Sequence, residues 1–360
     1  MKKIKILSIL DIFVLSIGII YQYYNLEKAP VPPSAYHWEQ ISAGGGGAMF
    51  SPNINPWDTN HLVIHCDMGG NYISYDGGQS FAFCYLNSRI FSNHFADENT
   101  LYMGGNALYK SEDKGKTFEQ IFPSPDKVMA KSYRGLGSDI YYENTDTYQT
   151  YHQIQEITTN PNQKDLLFLL SKSNYSNDAA CYYSDNGGES FQILLAYHSD
   201  HVFKLYCDEQ DPAIIYLFYD EGIQKINIQT KEIQEVYTNE IVNGYALNQK
   251  FYVIKTVDDE HFANHVYQLE DNFTKETPIS ENCTQYIQYV KRNFTDIDMA
   301  NDGTIVVAIG GSDESFGAAK TQDNGATWEV YNAVSYTHLL SIRDISRISF
   351  SRVNKYLEDS

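Results

Sequence analysis

Positive charge is scarce in this chain. Its 360 residues carry 26 Lys and Arg against 46 Asp and Glu, a formal net charge of -20. The basic footprint that a phosphate backbone demands is missing, so nucleic acid is excluded as an expected partner. Arginine is rarest: ahead of position 333 only Arg89, Arg134 and Arg292 occur. Cysteine is sparse as well. Cys66, Cys84, Cys181, Cys207 and Cys283 are odd in number and widely spaced, with no Cys-x-x-Cys pair, so neither a zinc site nor a disulfide framework is implied. They read as buried small hydrophobes. No glycine-rich loop follows a strand and opens a helix, which removes phosphate-cradling sites. His261 and His265 are four apart but fall in a hairpin connection, so no metal and no cofactor are expected.

The one long apolar run is at the start. Lys2, Lys3 and Lys5 precede Ile6 to Tyr21, interrupted by Asp11, and this reads as an export signal. A cleaved signal peptide needs small residues near its end, where Ile19, Ile20, Tyr21 and Tyr23 stand, so an uncleaved membrane anchor is favoured and a cleaved signal is the alternative. Residues 1–28 are therefore a signal peptide or anchor, and 29–36, with Ala29-Pro-Val-Pro-Pro-Ser, a stiff Pro-rich spacer. The expected location is secreted or extracellular, with membrane contact only through this segment.

Aromatic residues are plentiful at 14%, a composition suited to half-buried β surfaces. Four octapeptides repeat: Ser74 to Phe81, Ser111 to Phe118, Ser184 to Phe191 and Thr321 to Trp328. Their shared template is Ser/Thr-x-Asp-x-Gly-x-x-aromatic, with Asn186 replacing Asp in the third. The physics is that of a β-hairpin turn, in which Asp or Asn accepts backbone N–H bonds and Gly supplies positive φ. A structural role follows for Asp76, Asp113 and Asp323. These octapeptides resemble the Asp-boxes, or bacterial neuraminidase repeats, of β-propeller proteins.

The expected fold is thus all-β, a single β-propeller of six to seven four-stranded blades with Asp-box hairpins, spanning 37–332. The first two boxes start 37 positions apart and the next 73 later, which calls for a blade without a box or an insertion. Blade one is expected at Ala48–Pro52, His61–Asp67, Asn71–Asp76 and Ser80–Cys84, and the others at 90–122, 154–197, 202–238, 243–279 and 294–332. His37 to Ser42 would be an outer strand closing the ring on the last blade. The tail 333–360 is atypical, fitting a truncated seventh blade or a non-native end.

Blade one carries the most specific sequence. Trp38 to Pro52, with Gly44-Gly-Gly-Gly47, leads to His65-Cys-Asp67-Met-Gly69-Gly70-Asn-Tyr72. Over about residues 36 to 83 this resembles the opening blade of family-74 glycoside hydrolases, the xyloglucanases and oligoxyloglucan cellobiohydrolases. The resemblance implies that Asp67 is the general base of an inverting hydrolysis and that Tyr72 contacts substrate; a turn-capping role is the alternative for Asp67. An inverting mechanism also needs a second carboxyl. The family takes it from a second propeller, so this chain is expected to supply only the N-terminal half of the cleft. Met68-Gly-Gly-Asn71 recurs as Met103-Gly-Gly-Asn106 with Tyr102 in the place of Asp67, which suggests that the turn itself does not require a carboxylate. Between blades two and three, Tyr133 to Tyr151 is Tyr-rich, and Tyr141, Tyr142 and Tyr148 are candidate sugar platforms, with packing as the alternative.

Three functions stay open: a carbohydrate-active protein resembling a β-1,4-glucan or xyloglucan hydrolase, a non-catalytic surface propeller binding a glycan or a cell-surface protein, and a sialidase-like hydrolase. Polysaccharide or glycan is the leading partner class.

Overall fold

The structure is a computed structural model describing residues 49–66, 70–84, 86, 90–134, 139–144, 152–173, 178–197, 202–258, 261–283, 293–300, 302–310 and 316–333. The N-terminal segments 1–28 and 29–36, the strand expected at His37 to Ser42, and the tail beyond 333 lie outside them.

Twenty-six strands are formed by these residues, in chain order. Strands β1 (Met49–Ile54), β2 (Leu62–Cys66), β3 (Gly70–Ser74) and β4 (Ala82–Cys84) make the first antiparallel sheet, each pairing with the next. The second holds β5 (Ser92–Phe95), β6 (Leu101–Gly104), β7 (Leu108–Ser111) and β8 (Glu119–Phe122). A separate hairpin, β9 (Val128–Arg134) with β10 (Asp139–Asn144), follows. The third sheet is β11 (His152–Asn160), β12 (Gln163–Ser173), β13 (Ala179–Ser184) and β14 (Gln192–Tyr197). The fourth is β15 (Val202–Cys207), β16 (Ile214–Tyr219), β17 (Gly222–Asn227) and β18 (Ile233–Tyr237). The fifth is β19 (Asn243–Leu247), β20 (Lys250–Thr256), β21 (Asn264–Glu270) and β22 (Lys275–Pro278). The sixth is β23 (Asn293–Met299), β24 (Ile305–Gly310), β25 (Phe316–Thr321) and β26 (Glu329–Ala333). The six sheets are blades of a β-propeller, and the β9–β10 hairpin is the insertion behind the doubled box spacing.

The core is divided among the gaps between blades. Val63 and Ile73 of blade one pack with Phe95, Leu101 and Met103 of blade two. Equivalent clusters join blades two and three, three and four, four and five, and five and six. Second strands of blades two to five lie inside this stack with a blade on each face, so they are apolar at successive positions rather than alternately. Ile214 to Phe218 and Ile305 to Gly310 are buried throughout.

The four octapeptides make one set of hydrogen bonds. In the second, Ser111 Oγ accepts the Gly115 N–H at 2.8 Å and donates to Asp113 Oδ1 at 2.8 Å. Oδ1 also accepts the Thr117 N–H at 2.8 Å, and the Thr117 hydroxyl donates to Oδ2 at 2.6 Å. Ser74, Asp76 and Ser80 repeat it, as do Thr321, Asp323 and Thr327. Asn186 preserves it with an amide: Oδ1 accepts the Ser190 N–H at 3.0 Å and Nδ2 donates to Ser190 Oγ at 2.9 Å. The seventh position is thus a hydroxyl in every box, a regularity that the eight-residue template left unassigned. Hydrogen bonds from the Ser80 and Thr117 side chains, then from their backbone N–H groups, hold the Asp76 and Asp113 carboxyls near 2. Both carboxylates are committed to their turns.

The glycines explain why boxes also join blades. A Cβ at Gly115 would lie 2.7 Å from Ile73 of blade one, and one at Gly188 would lie 2.6 Å from Ile121 of blade two. At Gly325 a Cβ would meet the Ile279 carbonyl at 2.0 Å, the same oxygen that accepts the Trp328 indole N–H at 2.9 Å.

Candidate functional site

First strands sit innermost, where neighbouring blades meet by side chains rather than by backbone ladders. Buried backbone groups there need partners, and polar side chains supply them. Asn93 Nδ2 donates to Ser51 O at 2.6 Å, Ser92 Oγ to Ile154 O at 2.9 Å, and Asn243 Nδ2 to Thr295 O at 3.0 Å. His94 Nε2 pairs with Thr159 Oγ1 at 2.8 Å. These strands from all six blades surround one cavity of about 830 Å³.

Across it runs an ion pair that joins blades four and six. Lys204 Nζ of β15 lies 3.0 Å from Asp296 Oδ1 of β23 and 3.5 Å from Ile297 O. Asn243 of β19, in the intervening blade, donates to the same Oδ1 at 3.1 Å, and the Ile297 N–H does so at 2.9 Å. The ammonium also stands 5.3 Å from the centre of the Tyr245 ring. Asp296 is only 2% exposed, and burial pushes its carboxyl up to about 6 against the opposing pull of Lys204. For Lys204, burial favours the neutral amine, but Asp296, Glu156 and Asp298 outweigh it and hold the ammonium above its ordinary value. The cation has three carboxylates around it, whereas Asp296 has one cation and a fellow carboxylate. None of these residues was singled out from sequence.

Connections between first and second strands contribute Trp57, Pro161, Glu209 and Asn248 to the cavity wall. Tyr206 donates its hydroxyl to Glu209 Oε2, and the other Glu209 oxygen accepts the Asn248 N–H at 2.9 Å, tying blade four to blade five. Trp57 is 50% exposed. The box turns belong to this same end: Gly77 N–H reaches Asn60 O and Lys114 N–H reaches Asn99 O, each at 2.9 Å.

Asp67 and Tyr148 lie outside the described residues. β2 ends at Cys66 and β3 begins at Gly70, paired with each other at the blade end opposite the box turn. Tyr72 is in β3, half-buried, its ring edge-on to Phe83 at 5.6 Å between centroids; it is not among the cavity-lining residues. Tyr141 and Tyr142 are in β10, opposite Ser132 and Lys131 of β9. His65 bonds to Asn71 Oδ1 at 2.8 Å across the β2–β3 hairpin, and His265 to Ser280 Oγ at 2.9 Å.

The strand ladders overturn the expected equivalence of Tyr102 with Asp67. Counted from the box serines, Leu62 pairs with Ser74 and Val63 with Ile73, while Leu101 pairs with Ser111 and Tyr102 with Lys110. Tyr102 is therefore the counterpart of Val63, inside a strand, and not of Asp67. Met103-Gly-Gly-Asn106 is out of register with Met68-Gly-Gly-Asn71, because β6 pairs over fewer residues than β2. It says nothing about whether the blade-one turn needs a carboxylate.

No family model matches this sequence, and no curated protein matches it. Among solved structures the chain is similar to YCF48 from Cyanidioschyzon merolae, at 13% identity over 83% of this chain and 91% of that one, with a TM-score of 0.55. The fold is that of a β-propeller. At this identity the likeness establishes the fold alone. "YCF48 bound to D1 peptide" is 13% identical over 68% of this chain and 69% of that one, TM-score 0.44. The GH74 xyloglucanase from Xanthomonas campestris is 14% identical over 78% of this chain and 57% of that one, TM-score 0.28. Neither of these two adds to the argument.

Proposed function

We propose that this chain is an Asp-box propeller that binds a neutral glycan in its central cavity. The observation supporting this most is the composition of the cavity wall, where amides, one ion pair and aromatic rings occur together. A sugar presents hydroxyls needing both donors and acceptors, and C–H faces needing flat apolar surface. Asn93 and Asn243 brace the wall through bonds between blades, Lys204 with Asp296 offers a donor and an acceptor, and Tyr245 and Trp57 offer rings. Export through residues 1–28, with anchoring to the membrane, belongs to the same reading and suits a polysaccharide ligand outside the cell.

Hydrolysis is the second reading, favoured by the blade-one sequence around Asp67. Here Asp67 is the general base, and Tyr72, Tyr141, Tyr142 and Tyr148 are contacts for the chain of sugars. A partner carboxyl some 6.5 to 9.5 Å away would also be required. The test is direct: the purified chain is run through gels containing tamarind xyloglucan or barley β-glucan, and reducing ends are assayed in parallel. Retardation without release of reducing ends supports binding. Release abolished by Asp67→Ala supports hydrolysis, and absence of both rejects the glycan reading.

A further inference from the structure

The ion pair spanning the cavity does something that the surrounding polar contacts do not. Ser51, Ser92, Asn93 and Thr159 bond across adjacent first strands and use their groups to satisfy neighbouring backbone or side chains. Lys204 and Asp296 bypass the intervening blade and meet in the cavity itself. All three donors described on Asp296, from Lys204, Asn243 and Ile297, converge on Oδ1. A carboxylate has about four acceptor directions shared over two oxygens, so Oδ2 retains capacity. Lys204 is 21% exposed as a side chain and has three donor positions, two of them directed at Asp296 and Ile297 O.

We propose that Asp296, positioned by Lys204 and Asn243, anchors the bound ligand by accepting hydroxyl hydrogen bonds on Oδ2, and that this anchor selects neutral polyols over sugar acids. The inference rests on the glycan reading above and names the residue that decides specificity within it. The selectivity has an electrostatic cause. An incoming carboxylate would meet Asp296 and Glu156 on the wall and Glu209 in the connection beside it, with Asp298 two residues along the strand from Asp296. Among the described residues, Lys172 and Lys204 are the lysines on this wall, and Lys204 already faces carboxylates. A hydroxyl carries no charge into that field, and its bond to a buried carboxylate is of the charge-assisted kind.

Protonation of Asp296 removes the acceptor, so affinity should fall in acid. The charged and titratable groups facing it are Lys204 from β15 and Asp298 from its own strand, with Glu156 of β11 beside Lys204. His94 of β5 lines the same cavity, and an imidazole changes charge in this pH range. The variant His94→Gln is therefore carried as a control.

The experiment is calorimetric titration of the intact chain with a xyloglucan heptasaccharide and, separately, with an oligogalacturonate, from pH 5 to pH 8. Expected are binding of the neutral sugar at pH 8, weakening of roughly ten-fold or more in Asp296→Asn, and no comparable binding of the oligogalacturonate. Wild-type affinity should decline as the pH is lowered through about 6, and the decline should persist in His94→Gln. Should Asp296→Asn fail to fold, that wild-type and His94→Gln profile decides the matter. Undiminished affinity in folded Asp296→Asn, a flat wild-type profile, or equal affinity for the uronate overturns the anchor while leaving the glycan reading intact. A wild-type chain that binds neither sugar at any pH overturns both.

Discussion

Replacing Lys204 by Met removes one half of the buried pair with little loss of side-chain volume. At 3.0 Å the two charges attract by about 5 kcal/mol at an effective dielectric constant near 20. Breaking a buried pair by deleting one partner costs about 3–5 kcal/mol, because the surviving charge keeps its desolvation penalty. That survivor is Asp296, 2% exposed and close to Asp298. For a domain of this size the loss corresponds to a drop in Tm on the order of 10 °C. The cost should depend on pH, and the sign can be worked out. The folded carboxyl sits at about 6, above the ordinary 3.8, so the folded state binds the proton more tightly than the unfolded state. In the wild type this group alone makes stability fall as pH rises from about 4 to about 6. Without Lys204 the folded value climbs further, and the falling limb extends toward neutrality. The difference between wild type and Lys204→Met should therefore be large at pH 8 and much smaller at pH 5. Urea unfolding at both values, followed by tryptophan fluorescence, measures it. A difference under about 1 kcal/mol at pH 8, or an equal difference at both, would refute the reasoning that a buried carboxylate is being held charged by this lysine.

Three further outcomes are expected. Ser111→Ala leaves the buried Gly115 N–H without the acceptor now at 2.8 Å and should cost about 1–3 kcal/mol by urea midpoint, with Ser111→Thr retaining most of the stability because Thr321 fills this position in the fourth box. Gly303→Ala and Gly325→Ala both place a side chain at a φ of +90, but only the second drives a Cβ to 2.0 Å from a backbone carbonyl, while the first meets nothing within 4 Å. Gly303→Ala should cost about 1–2 kcal/mol, and Gly325→Ala about 1–3 kcal/mol more; equal midpoints would rule out close approach at Gly325. Burial lowers the His61 imidazole to about 4 despite the nearby Asp58 carboxylate. The folded value lies below the ordinary 6.5, so this contribution is complete above 6.5 and lost as pH falls from 6.5 toward 4. His61→Gln should flatten stability over that window, as measured by thermal unfolding at half-unit steps.

Much of the fold was legible because its decisive contacts are local. Ser111, Asp113, Gly115 and Thr117 bond at separations of two and four residues, so the box can be read from an octapeptide. The second strands were equally plain, since Ile214 to Phe218 is apolar over a strand's length and bounded by turn residues. The hydroxyl at Ser80, Thr117, Ser190 and Thr327 was also legible, as a shared position in four aligned boxes. The repeat comparison at Met103 failed because matching letters cannot reveal register: the ladder places Tyr102 opposite Lys110, within the strand.

The sequence by itself determined the building unit. Short apolar strands, hydroxyl–carboxylate turns and glycines with positive φ specify antiparallel hairpins through bonds between residues two and four apart. Only the tertiary structure decided what the inner wall contains. Lys204 and Asp296 are separated by 92 positions and Asn243 and Asp296 by 53, and no local pattern marks a lysine, an asparagine and an aspartate on three different strands as neighbours. They meet because each blade packs its apolar face against the next, which fixes where the first strands point. The ring brings distant polar side chains to one axis, where burial strengthens their pairing and raises the cost of leaving any of them alone.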